Sequence, residues 1–169
     1  MRTLRSLKSV AALAAVACLA GCVTPMTRET LAVTVPGVAT IPGTVTVAAG
    51  GAGQPELPVL KGAVEDSIAR TNLFRGVLQG SGGDFELTVF LWNVRSPAMG
   101  FSMTVDVEMA WTLVRASDKA VLLKKTIKTT HTTKAGEAFA GVERVNMARS
   151  EAVRENIRQG LQSIAGLKL

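Results

Sequence analysis

The chain has 169 residues, with 19 Lys and Arg against 13 Asp and Glu, one His, two Cys and no Tyr. That length suits one domain with a substantial core and excludes two enzyme-sized domains. Hydrophobic residues make up 47% and charged ones 19%, which excludes a mostly disordered chain. The net charge of +6 hints at nucleic acid, while one His and no Tyr leave few general acids and bases.

The first segment in chain order reads as an export signal. Arg2, Arg5 and Lys8 form a basic start, followed by an apolar run from Val10 to Ala20, and no acidic residue precedes Glu29. The run is too short for a comfortable transmembrane helix, which needs about 20 residues. It ends in Leu19-Ala20-Gly21-Cys22, the layout of a bacterial lipobox. Small residues at Ala20 and Gly21 let a peptidase cut between Gly21 and Cys22. The Cys22 thiol would then carry diacylglycerol and become the mature N-terminus. Val23, rather than an Asp, after that cysteine implies sorting to the outer membrane.

Cutting 21 residues from 169 leaves 148, and losing Arg2, Arg5 and Lys8 lowers the net charge from +6 to +3. Cys18 leaves with the signal and Cys22 is lipidated, so no disulfide is expected in the mature chain. Export also removes access to nucleic acid, so no nucleic-acid partner is expected.

Residues 22–43 contain Pro25, Pro36 and Pro42 and read as a lipidated N-terminus and extended tether, with at most an edge strand at Leu31–Val35. Thr44–Ala48 alternates as a strand, and Gly50-Gly51-Ala52-Gly53 lacks the Lys-Ser/Thr of a phosphate loop. Leu57, Leu60, Val64, Ile68 and Thr71 recur at helical spacing, predicting a helix over Glu56–Asn72. A short strand at Phe74–Leu78 and a longer one from Phe85 to Leu91 follow. From Phe101 to Leu113 apolar and polar residues alternate strictly, predicting a strand with one dry and one wet face. Ser117-Asp118-Lys119 turns the chain into a strand over Ala120–Thr132. Val142, Val145, Ala152, Val153, Ile157, Leu161 and Ile164 predict a closing helix from Glu137 to Ala165, ending at Gly166.

The expected fold is therefore α+β: a twisted antiparallel sheet, order β-α-β-β-β-β-α, with two helices packed on one face. The expected division is a signal peptide over 1–21, a lipidated N-terminus and tether over 22–43, and a single periplasmic domain over 44–169.

The residues carry little catalytic chemistry. His131 stands in a threonine-rich strand end, without a second His or free thiol to form a metal site or a triad. Asp106 and Glu108 point the same way, yet strand alternation alone places polar residues there. No catalytic residue, metal or cofactor is implied. Arg115, Lys119, Lys124, Lys125 and Lys128 form a basic strip on the last hairpin, a candidate contact for a protein partner or anionic lipid. Trp92 joins them as an aromatic on the second face of its strand.

Three runs carry a resemblance: Thr129–Lys134, Ala138-Phe139-Ala140-Gly141-Val142-Glu143-Arg144, and Ala148–Ile157. Together with Gly50-Gly51 before a helix ending in Asn72-Leu73-Phe74, they resemble a family of small proteobacterial envelope lipoproteins often labelled UDP-N-acetylglucosamine acyltransferase. The likeness spans about residues 44–165. At the level of fold the arrangement is similar to the lipopolysaccharide-assembly lipoprotein and to auxiliary lipoproteins of lipid transporters. The resemblance implies an outer-membrane lipoprotein anchored through Cys22 and facing the periplasm. Its role would be non-enzymatic, in envelope assembly or transport, with a protein or lipid partner. The family label implies acyl transfer instead, but the chain lacks the six-residue repeat of acyltransferases so named. A structural scaffold without ligand is the third alternative.

Overall fold

The structure is a computed structural model that describes residues 26–51, 56–96, 100–138 and 140–168. Among the described residues five strands and three helices follow one another as α1 (Arg28–Leu31), β1 (Ile41–Gly50), α2 (Leu57–Thr71), β2 (Phe74–Leu78), β3 (Phe85–Arg95), β4 (Met103–Arg115), β5 (Val121–Thr133) and α3 (Gly141–Ala165). The fold is α+β, as expected, with the strand order β2-β1-β3-β4-β5 in one open sheet.

Alternation builds the sheet. Phe85, Leu87, Val89 and Leu91 of β3 and Val105, Val107, Met109, Trp111 and Leu113 of β4 are buried, and the residues between them are not. The registers place Leu87 opposite Leu113, and Val47 of β1 opposite Leu87, so the apolar rows share one face. α2 and α3 cover that face. Pro58 sits in the first turn of α2, and Asn72 closes it in the left-handed conformation at φ 53. Leu60, Ala63, Val64 and Ile68 point down onto the sheet. α3 buries Ala148, Ala152, Val153, Ile157, Leu161 and Ile164 at steps of three and four. Its outer side carries the ion pairs Arg154–Glu151 and Arg158–Glu155, each three residues apart.

One polar knot locks α3 to the sheet. The indole N–H of Trp111 donates to Asn156 Oδ1 at 3.0 Å, and Asn156 Nδ2 donates to the Ile127 carbonyl at 2.9 Å. Thr129 Oγ1 donates to the Ala152 carbonyl at 2.7 Å. All these groups are buried, so each needs its partner to offset lost hydration.

The sheet is mixed rather than wholly antiparallel. β3, β4 and β5 form the expected antiparallel meander, but β1 runs parallel to both β2 and β3. A short connection usually means a hairpin. Here β2 pairs with β1 as far as Thr46, while β3 begins opposite Val45, so the chain keeps its direction and steps sideways across β1. Gly83 makes that crossing: a Cβ there would lie 2.8 Å from the Thr46 backbone nitrogen. Asp84 anchors it by accepting from the Thr44 backbone N–H at 2.7 Å and the Thr44 hydroxyl at 2.9 Å.

Three boundaries differ from expectation. The described part of the predicted tether, from Met26 to Gly43, is packed on the domain instead of extending freely. Leu31, Ala32, Val33 and Val35 are buried. The backbone N–H groups of Val33 and Val35 donate to Ser67 Oγ and Thr71 Oγ1 of α2, at 2.9 and 3.1 Å. Arg28 donates through Nε to Asp66 Oδ2 at 2.8 Å, completing the seam. No strand forms at Leu31–Val35, because α2 side chains rather than a sheet edge satisfy its backbone. β4 starts at Met103, leaving Phe101 88% exposed in the preceding loop. α3 starts at Gly141, since Glu137 N–H closes a turn onto the Lys134 carbonyl at 3.1 Å.

Candidate functional site

The helices leave the second face of the sheet uncovered, and that face holds most of the polar candidates. Across it run Phe90, Ala110 and Thr126 in one row, Thr88, Thr112 and Lys124 in the next, and Asn93, Glu108 and Lys128 in a third. A register shift between Leu91 and Asn93 marks a bulge at Trp92. Trp92 is 64% exposed, and its ring meets Phe90 with centroids 4.9 Å apart at 58°. Phe90 in turn lies over Gly50, where a Cβ would come within 2.8 Å of the ring.

The basic strip predicted on the last hairpin is divided three ways. Lys124 and Lys128 point to the uncovered face. Lys125 has the opposite parity and donates to Ser163 Oγ of α3 at 3.0 Å. Arg115 is held by Asp118 at 3.0 Å, and Lys119, at φ 57 in the turn, by Glu86 at 2.8 Å. Ala120 N–H, first, and then Arg115 hold the Asp118 carboxyl below its ordinary pKa. The five cations therefore do not converge on one ligand.

The other candidates separate in the same way. Asp106 accepts from Thr130 Oγ1 at 2.6 Å, and Glu108 stands opposite Lys128. Asn93, Arg95, Asp106, Glu108 and Lys128 line a shallow polar dent of mixed charge. His131 pairs with Val105 on the helix-covered side of β5, away from both carboxylates. Among the described residues no group of three His, Cys, Asp or Glu is placed to hold a metal ion. Gly21 and Cys22, the expected cleavage and lipidation positions, lie outside the described residues.

At the opposite end of the sheet an open cleft lies between Arg75, Asp84 and Arg115. Asp84 is spoken for by Thr44, whose backbone N–H is the main cause of its lowered pKa. The exposed residue that sequence reasoning misplaced is Phe101. The Ser96-Pro97 and Gly100 that precede it were the available sign of a loop.

Comparison with solved structures identifies the architecture. A crystal structure of protein XCC0632 from Xanthomonas campestris, of family DUF330, superposes with a TM-score of 0.64 at 15% identity, covering 80% of this chain and 92% of that one. A Caulobacter crescentus protein described as a lipoprotein matches with a TM-score of 0.50 at 17% identity, over 70% and 87%. The fold is one that bacterial lipoproteins use. A minor lipoprotein of Acinetobacter baumannii matches likewise, with a TM-score of 0.51 at 7% identity over 75% and 93%. At such identities the likeness is one of fold. No family model matches the chain, and no curated protein matches it.

Proposed function

We propose that this chain is an envelope lipoprotein, cut before Cys22, lipidated on the Cys22 thiol and carried to the outer membrane with its domain in the periplasm. There it binds a protein or lipid partner of envelope assembly or transport and catalyses nothing. The observation that carries this reading is Leu19-Ala20-Gly21-Cys22, placed directly after a basic start and an apolar run. The shared fold with solved lipoproteins supports it, as does the dispersal of the titratable side chains over separate parts of the sheet.

Metabolic labelling with palmitate tests the anchor. Labelled protein is expected in the outer-membrane fraction for the parent chain, and none for Cys22→Ser. A parent chain that takes up no label would sink the reading. Acyl transfer, the activity implied by the family label, is tested with the purified domain, an acyl donor and UDP-N-acetylglucosamine. Turnover that His131→Ala abolishes would replace the binding role with an enzymatic one.

A further inference from the structure

On the uncovered face of the sheet a bulge sets an aromatic pair beside a row of hydrogen-bonding groups. Phe90 stands opposite Ala110 and Asn93 opposite Glu108, so Trp92 and Asn93, although consecutive, both belong to that face. Phe90 rests on Gly50, which has no Cβ to displace the ring, and Trp92 leans on Phe90. The indole is thus held from one side and open on the other. About 7 Å further along the strands, Asn93, Glu108 and Lys128 form the next row. With Arg95 and Asp106 they line the polar dent. Asp106 is bonded to Thr130, but among the described residues no hydrogen bond or ion pair engages Asn93, Arg95, Glu108 or Lys128.

Charge and area select the occupant. Arg95 and Lys128 are balanced by Asp106 and Glu108, so the dent offers no net attraction to an anion or a charged lipid headgroup. A stable protein interface takes about 800 Å² from each partner and has an apolar centre. This face has no such centre. Its other exposed apolar side chains, Leu78 and Val121, stand at opposite sheet edges in the row of Glu86, six residues and about 20 Å from Trp92. A neutral sugar ring matches both halves of the site. Its C–H face is apolar and packs on an indole, while its hydroxyls both donate and accept at the rim.

We propose that Trp92 and the row Asn93, Glu108 and Lys128 bind a neutral glycan, with one sugar ring stacked on Trp92 and its hydroxyls bonded to the row. Asn93 supplies both a donor and an acceptor, Glu108 accepts and Lys128 donates. The shared ligand chemistry is the uncharged pyranose, which in an envelope comes from peptidoglycan strands or from a polysaccharide. The site goes beyond the lipid-anchor reading and does not depend on it.

Trp111 is fully buried and Trp92 is 64% exposed, so the emission lost in Trp92→Phe reports the site. The full-length protein, in a detergent without a sugar headgroup, is titrated with chitohexaose and with maltohexaose. At least one is expected to change Trp92 emission saturably and to shield it from aqueous iodide. By calorimetry, Trp92→Ala should lower the affinity about tenfold or more, and Asn93→Ala or Glu108→Gln about two- to tenfold, at unchanged melting temperature. Pelleting with purified sacculi, against binding of a lipid-free envelope polysaccharide, distinguishes the two sources. No response to any of these four glycans overturns the site. So does binding that the Trp92 and Asn93 substitutions leave unchanged, or a protein partner or second copy found covering Trp92. None of these results bears on the anchor, which palmitate labelling decides separately.

Discussion

Gly160 shows how one residue answers to a distant one. Glycine inside a helix costs about 1 kcal/mol relative to alanine, yet α3 carries it at a fully packed position. The reason is Trp111, whose ring atoms would lie 2.4–2.6 Å from a Cβ at 160. Gly160→Ala should therefore destabilise by about 1–3 kcal/mol despite its better helix propensity, because the indole or the helix must move. Any movement also strains the bond from the indole N–H to Asn156. Urea midpoints at neutral pH decide this: an equal or higher midpoint for the alanine variant would refute the packing account. The apolar stripe at Ile157, Leu161 and Ile164 was legible from spacing alone. That position 160 must be glycine depends on a strand residue far away in sequence, and spacing carries no such information.

At the scale of elements, the pieces with enough internal pattern were legible. α2 and β2 match their predicted positions because Pro58 opens the helix, Asn72 closes it and Phe74 follows at once. α1 has four residues, too few for a periodicity, and its capping pair Thr27 and Thr30 lacks the acidic partner that makes such boxes recognisable. What holds α1 is external: the Arg28–Asp66 pair, which ties it to α2. Arg28's hydrogen bonds hold the Asp66 carboxyl below its ordinary pKa. A lowered folded-state pKa stabilises fully above the ordinary carboxylate range, and the gain fades as pH falls through that range to the depressed value. Both side chains are partly exposed, so solvent screening keeps the effect small. Asp66→Asn should be slightly less stable than the parent at pH 7, with the gap closing below about pH 4. Denaturation curves at the two pH values check this, and a gap that persists in acid would show that charge is not the cause.

Across the whole molecule, the seam between residues 26–43 and α2 makes the N-terminal segment part of the core. Leu31, Val33, Val35 and Ile41 are all buried, at most 7% exposed. Each buried side chain of this kind contributes about 1.5–3 kcal/mol. Four together approach the roughly 5–15 kcal/mol that separates a folded domain from its unfolded chain. A chain begun at Thr44 should show no cooperative thermal transition by circular dichroism, whereas one begun at Val23 should melt cooperatively. A sharp transition in the shorter chain would mean that the segment only decorates the domain.

Local order was within reach of the sequence by itself: the wet and dry faces of β3 and β4, and the helical stripes of α2 and α3. Each is a periodic or contiguous pattern, and side-chain direction follows directly from backbone period. Only the tertiary structure decided that β1 lies between β2 and β3 and runs parallel to both. It also decided that the presumed tether is folded from Met26 on, that the basic strip disperses, and that Phe101 is exposed ahead of β4. Those outcomes depend on which surfaces meet. Pairing partners far apart in the chain share no period, and their choice is settled by the packing of the whole core.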